Sequence, residues 1–231
     1  MPKPTFFNLP SDKRDRFVAV ALEEFTDHPY DQASVSRIVA RLGIAKGSVY
    51  QYFDDKYDLF AWLIAQSAEQ RRARAAAHAT GDVFADVAAA WVDGLSFAAA
   101  HPRWALLGLR LIEPSEEPRV VALRGQLDDA ARGWWRERLA EAARAGAVRG
   151  DVDVALTAEL ANTLFGPGLV RVFARRLGLA DDAAFARATV ELSHPDARAA
   201  MLSVVSGALD LLTRGVGAAE RPADRPPPVR A

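Results

Sequence analysis

Between Gln32 and Phe53 the chain carries Arg37, Arg41 and Lys46 and no acidic residue, although Asp and Glu crowd both flanks. Cations interleaved with Ser34, Ser36, Ser48, Tyr50, Gln51 and Tyr52 are chemistry for a polyanion. Ammonium and guanidinium groups neutralise phosphates, while hydroxyls and amides hydrogen-bond phosphate oxygens and base edges. The remaining titratable groups point away from catalysis. His28, His78, His101 and His194 form no HExxH motif and no i,i+4 pair with ligand-spaced carboxylates, so each is read as a surface or capping histidine. There is no Gly-rich phosphate loop, no GxSxG elbow and no cysteine nucleophile, and Glu116-Glu117 and Asp128-Asp129 read as solvated helix charges. No catalytic residue, metal or cofactor is expected.

Two short helices must position the polyanion-binding groups. Val35, Ile38, Val39 and Leu42 recur at i, i+3, i+4 and i+7, which gathers them on one buried stripe. Ser34 is the expected N-cap, and Gly43 supplies the left-handed backbone that ends the helix. The turn is then Gly43, Ile44 and Ala45. A second helix over about Lys46 to Phe53 buries Val49 and Phe53 and leaves Lys46, Ser48, Tyr50, Gln51 and Tyr52 outside. The pattern is a helix-turn-helix, whose recognition helix reads base edges from its N-terminal residues, here Lys46, Gly47 and Ser48. The alternative is a helical partner-binding module without sequence-specific DNA binding, which would tolerate loss of Lys46, Tyr50 and Lys56.

The run GIAKGSVYQYFDDKYDL resembles the signature of the TetR family of bacterial transcriptional regulators: glycine, a hydrophobic residue, Ser, a gap, Gly, Thr, a hydrophobic residue, Tyr, then Phe, Lys and Leu at fixed intervals. The resemblance covers roughly the first quarter of the chain. It implies base or phosphate contacts from Ser34, Ser36, Arg37, Lys46, Gly47, Ser48, Tyr50 and Tyr52, with Gln51 on the same helix and Lys56 as a phosphate clamp. Ala45 departs from the pattern, because the family usually has Ser or Thr there; the second helix therefore lacks a side-chain N-cap, a loss of about 1 kcal/mol in typical hosts. Residues 1–58 hold eight Lys or Arg against nine Asp or Glu, so affinity must rest on local placement and dimerisation rather than on net charge.

The 231 residues carry a formal net charge of -1 and a pI near 6.4, which excludes a non-specific polycationic coat for nucleic acid. With no cysteine there are no disulfides and no thiolate metal sites. The apolar run at MPKPTFFNLP is too short for a signal peptide, and no later stretch reads as an uninterrupted membrane span, so a cytoplasmic location is expected. Helical periodicity runs almost throughout, and the expected fold is all-α. A three-helix DNA-binding domain occupies residues 1–58, a helical bundle for ligand binding and dimerisation residues 59–214, and a Pro-rich disordered tail residues 215–231. The first helix begins near Ser11 and packs Phe17, Ala21 and Phe25 inward. A long helix from Lys56 to about Ala79 links the domains, with Arg71, Arg72 and Arg74 on a solvated face. Further helices are expected over residues 82–100, 102–112, 117–145, 152–177 (broken around Gly166-Pro167-Gly168), 183–192 and 195–214.

Two apolar faces invite pairing: Leu160, Leu164, Gly168 and Val172 on one helix, and Met201, Val204, Val205, Ala208, Leu211 and Leu212 on the last. Either serves equally as bundle core. The resemblance implies that they form a four-helix dimer interface, placing two recognition helices on half-sites about 34–36 Å apart, or a multiple of that, in a near-palindromic operator. A pocket for a small apolar or aromatic effector is expected among Trp91, Phe97, Trp104, Trp134 and Phe165, with His101, Glu113 and Asn162 as orienting polar groups. The resemblance thus implies a homodimeric, ligand-responsive regulator, a repressor or alternatively an activator, whose DNA and effector prefer different dimer geometries.

Overall fold

Proline and acidic caps decide where the helices of this protein begin. A computed structural model describes residues 1–77, 80–176, 178 and 195–217. Among these the chain is a succession of helices: α1 Pro4–Phe7, α2 Ser11–Asp27, α3 Val35–Leu42, α4 Lys46–Tyr50, α5 Lys56–Ala77, α6 Val83–Ala100, α7 Pro102–Arg110, α8 Pro118–Arg144, α9 Val154–Thr163, α10 Leu169–Arg176 and α11 Pro195–Val216. Asp82 caps α6 by accepting from the amides of Phe84 and Ala85 at 2.9 and 3.2 Å. Asp153 caps α9 through Leu156 N at 3.0 Å, and Asp55 caps α5 through Asp58 N at 2.8 Å. These carboxylates satisfy first-turn amides and oppose the helix dipole. Gly43 ends α3 with φ +69° and Gly146 follows α8 with φ +76°, a conformation that costs a residue with a Cβ.

The structure corrects several expected boundaries. Helix α1 was not foreseen; Pro4 sits at its first turn, where a missing amide costs nothing. Helix α4 stops at Tyr50 rather than Phe53. The break expected around Gly166-Pro167-Gly168 takes the form of a π turn, Leu164–Gly168, in which Gly166 has φ -93° and ψ -114°. A Cβ on Gly168 would stand 2.6 Å from the Thr163 carbonyl oxygen, so only glycine fits this turn. Helix α11 continues past 214 to Val216, and Gly217 pairs with Val148 in an isolated antiparallel bridge. The expected helix over 183–192, the tail beyond 217, His78 and His194 lie outside the described residues.

Three apolar clusters make the core. The first unites α1 to α5, from Phe6 through Ile64, with Leu107 and Leu111 at the end of α7 and Val120 of α8. The second joins α6, α8, α9, the π turn and α11 around Trp135, Leu139, Phe165 and Val205. The third is small, Leu95, Ala98, Phe173, Ala174 and Met201. Among the described residues, Val83–Ala100 and Ala199–Val216 are long and apolar enough to cross a membrane by length and composition alone; the first is interrupted by Asp86 and Asp93, and both contribute residues to these clusters.

Candidate nucleic-acid interface and ligand cavity

The helix-turn-helix forms as its periodicity dictates. Val35, Ile38, Val39 and Leu42 are buried, and beyond the left-handed Gly43 the amide of Ile44 donates to Val39 O at 3.1 Å, closing the helix end. Ala45 makes no side-chain cap. A helix of five residues cannot hold itself, and α4 is held from both sides. Inside, Val49 and Phe53 are buried. Outside, the N-terminal segment braces its end: Lys3 N donates to Tyr52 O at 2.8 Å, Lys3 Nζ to Tyr50 O at 2.9 Å, and Thr5 Oγ1 to Gln51 O. These contacts satisfy carbonyls that α4 leaves open. Phe6 anchors the brace, with its ring 5.0 Å from Phe53, 5.1 Å from Trp62 and 5.7 Å from Phe17.

What remains outside is a small polar face. Ser36, Lys46, Gly47, Tyr50 and Gln51 are exposed and Ser48 is half-exposed. The side chains of Ser36, Lys46, Ser48, Tyr50 and Gln51 have no hydrogen-bond or ion-pair partner among the described residues. A Cβ at Gly47 would meet nothing within 4 Å; nothing inside the protein demands glycine there.

Four other expected contacts sit differently. Ser34 does not cap α3 with its hydroxyl; its amide donates to Glu24 Oε1 at 2.8 Å. Arg37 spends its guanidinium on the same carboxylate, at 2.9 Å from Nε and 2.6 Å from Nη2, and on the Gln32 carbonyl at 2.7 Å. Burial pushes the Glu24 carboxyl up, but the Arg37 guanidinium and the Ser34 amide outweigh it and hold the pKa below the ordinary 4.5. Lys56 donates to Tyr30 O at 2.9 Å and Ala33 O at 3.1 Å, with its ammonium 4.4 Å from the Tyr30 ring centre. Desolvation lowers its pKa, and the ammonium clasps the loop before α3 instead of standing free for phosphate. Tyr52 is half-buried, its ring perpendicular to Phe17 at 5.8 Å. Arg41 pairs with Glu23. Lys46 is therefore the unpaired cation among Arg37, Arg41, Lys46 and Lys56.

A cavity of about 450 Å³ opens between α5, α6 and α7, with Phe165, Gly166 and Met201 at its edge. Trp91, Phe97, Trp104 and Phe165 line it as expected. The other four expected residues do not. His101 is exposed at the junction of α6 and α7 with its ring on Phe97, Glu113 pairs with Arg110 at 2.6 Å, Trp134 is exposed edge-on to Trp135, and Asn162 donates to Asp128 at 2.7 Å. The lining also holds Ser67, Arg71 and Arg74 of α5, which recur at i, i+4 and i+7 on one face. That spacing was available in the sequence, but only the packing of α6 and α7 shows that the stripe faces inward.

The expected pairing faces are likewise sorted by the fold. Met201, Val205 and Ala208 are buried within the chain, and Leu164, Gly168, Val204 and Leu212 are half-buried. Leu160 does face outward, 60% exposed, as does Leu211 of the last helix's expected face at 74%, together with Leu156 at 56%, which the sequence reading missed.

Residues 17–63 match the model of the tetR family of bacterial regulatory proteins. The chain is 27% identical over 152 residues to the HTH-type transcriptional repressor AcnR of Corynebacterium diphtheriae, spanning 62% of this chain and 72% of that protein. A TetR family transcriptional regulator of Chloroflexus aurantiacus superposes with a TM-score of 0.69 at 30% identity, over 95% of this chain and all of the other. FadR of Bacillus subtilis, whose structure is a complex with stearoyl-CoA, shares the fold with a TM-score of 0.57 at 19% identity, over 87% of this chain and 98% of its own. The helix-turn-helix, the all-helical body and these relatives, regulators rather than enzymes, lead to one assignment: the chain belongs to the TetR family of bacterial transcriptional regulators.

Proposed function

We propose that the protein is a cytoplasmic, homodimeric repressor that binds a near-palindromic operator through Lys46, Gly47, Ser48, Tyr50, Gln51 and Ser36, and is released by a small apolar or aromatic effector entering the cavity. The proposed division is a reading head over residues 1–58 and a regulatory bundle over 59–214. Repression is supported by the likeness to AcnR, and dimerisation by the exposed Leu156, Leu160 and Leu211, apolar surface that a second copy would cover.

The observation that carries ligand response is the two-sided role of α7. One face, Trp104, Ala105, Gly108 and Leu109, lines the cavity. The other grips the reading head. Arg110 donates to the Thr26 carbonyl at 3.0 and 2.8 Å, Arg103 donates to Thr26 Oγ1 at 2.7 Å and Asp27 Oδ1 at 2.8 Å, and Leu107 and Leu111 are buried in the first cluster. Just beyond, Asp31 accepts from Ser115 Oγ and Glu116 N at 2.8 and 2.9 Å. A ligand that displaces α7 therefore acts on the end of α2 and the loop before α3 directly, in addition to α5, which runs continuously from the reading head into the cavity wall.

The test is selection of bound duplexes from a random pool, then titration of the winning site with and without effector. A near-palindrome bound by a dimer is expected. Operator and effector must weaken each other by the same factor, because linkage is reciprocal; an effector affinity untouched by saturating operator would refute the scheme.

A further inference from the structure

The cavity is apolar over most of its wall, with Trp91, Leu95, Phe97, Trp104 and Leu109 contributing rings and branched chains. Its charged lining is Arg71, Arg74 and Asp93. Arg74 and Asp93 answer each other: Arg74 Nε lies 3.7 Å from Asp93 Oδ2, and its guanidinium stacks on the Phe97 ring at 3.9 Å. Arg71 has no such partner among the described residues, which leave one positive charge of the lining uncompensated. The side chain stays accessible, yet it stands among enough protein that desolvation lowers its pKa; both describe a guanidinium facing an open concavity. Its place in the wall suits an anion that no described residue supplies.

We infer that the effector is a compact apolar molecule carrying a single carboxylate, which Arg71 receives while the aromatic wall receives the rest. The inference rests on the cavity being the effector site proposed above and adds the charge class of its occupant. The planar guanidinium presents parallel N–H donors that match the two oxygens of a carboxylate. One free cation balances a monoanion, whereas a phosphate dianion would bring a second charge that the paired Arg74 does not answer. The volume lies in the range of small-ligand pockets and suits a compact body. Placement gives the anion leverage. Arg71 belongs to α5, and its Nη1 lies 3.6 Å from where a Cβ on Gly108 of α7 would stand, so the guanidinium rests between the two helices that reach the reading head.

The experiment uses the full chain and the fluorescence of Trp91 and Trp104. Decanoate and 4-phenylbutyrate are titrated against the primary alcohols of the same skeletons, with decyl phosphate as a third arm. The acids should bind roughly 10- to 100-fold tighter than the alcohols, the scale of hydrogen bonds to a charged group. Arg71→Gln should abolish that preference while leaving alcohol affinity unchanged, and Arg71→Lys, which keeps the charge and loses the fork, should fall between. If Arg71→Gln does not fold, the preference of the native chain and the Lys variant still decide. Acid and alcohol binding equally, or Arg71→Gln weakening both alike, would overturn the inference and leave the cavity as an effector site. Decyl phosphate binding tighter than decanoate would overturn the carboxylate assignment, and no binding by any probe would overturn the effector site along with it.

Discussion

The reading head and the cavity treat charge and space in opposite ways. In the head, Phe6, Phe17, Phe53, Phe60 and Trp62 interlock in one cluster, and most cations near the DNA face are already consumed by the protein: Arg37 by Glu24, Arg41 by Glu23, Lys56 by the carbonyls of Tyr30 and Ala33. Around the cavity the packing stops short, and Arg71 has no partner among the described residues. One region commits its polar groups to making a single shape; the other leaves a guanidinium without a partner among the described residues. The lesson is that a positively charged residue beside a recognition helix is not evidence of a DNA contact until its intramolecular partners are known.

The packed head is most vulnerable at Phe6. It is fully buried and touches Phe17, Phe53 and Trp62, so Phe6→Ala should cost about 3–5 kcal/mol in urea unfolding, the range for emptying a buried aromatic site. Because α1 braces α4, operator affinity should fall at temperatures where the variant is still folded. Glu24→Gln comes next. It keeps one acceptor oxygen but removes the negative charge that Arg37 and the Ser34 amide share, and a loss of about 1–3 kcal/mol is expected at neutral pH. The folded carboxyl has a depressed pKa, so its stabilisation is fully present above the ordinary value of 4.5 and disappears as pH falls through the lower folded value. Native chain and variant should therefore converge in stability in acid; a gap that persists below that window would place the effect elsewhere.

How much of this was legible before folding depended on range. The stripe Val35, Ile38, Val39 and Leu42 with Gly43 lies within a few turns, and local periodicity with a left-handed glycine specifies it. Size singled out Trp91, Phe97, Trp104 and Phe165, which line the cavity, and equally Trp134, which does not, so size alone does not say which rings face it. Arg71 and Arg74 were not recognisable as lining, since a polar stripe on an alanine-rich helix looks solvated until α6 and α7 close over it. The same blindness reversed the last helix: periodicity shows that Met201, Val205 and Ala208 share a face, but only the tertiary neighbours show that it turns inward while Leu211 turns out. Lys56 failed for a third reason. Its acceptors are backbone carbonyls of residues 30–33, which carry no side-chain signature at all.

Lys46 and Lys56 sharpen the contrast as a pair. Lys56→Ala should lower stability by about 1–2 kcal/mol, from lost hydrogen bonds to two buried or half-buried carbonyl sites, and leave the salt dependence of operator binding unchanged. Lys46→Ala should leave the melting temperature unchanged. If its ammonium meets a phosphate, the slope of log affinity against log salt falls by about one unit; if it reads a base, specificity relaxes at one operator position instead. The reverse assignment, a salt-slope change at Lys56 and a stability change at Lys46, would show that the clasp opens on DNA.

The smallest energetic effect is the most discriminating. Gly47 lies inside α4, where glycine weakens a helix by roughly 0.5–1 kcal/mol relative to alanine. A Cβ there meets nothing within 4 Å and the backbone is not left-handed, so Gly47→Ala should stabilise the free protein by about that amount. Retaining the weaker residue needs a reason outside the chain, and close approach of the duplex backbone supplies one, because the new methyl would stand between helix and groove. The variant should melt higher and bind operator more weakly. Greater stability with undiminished operator affinity would mean that α4 approaches DNA along another face, and the assignment of Lys46 and Ser48 to base reading would fall with it.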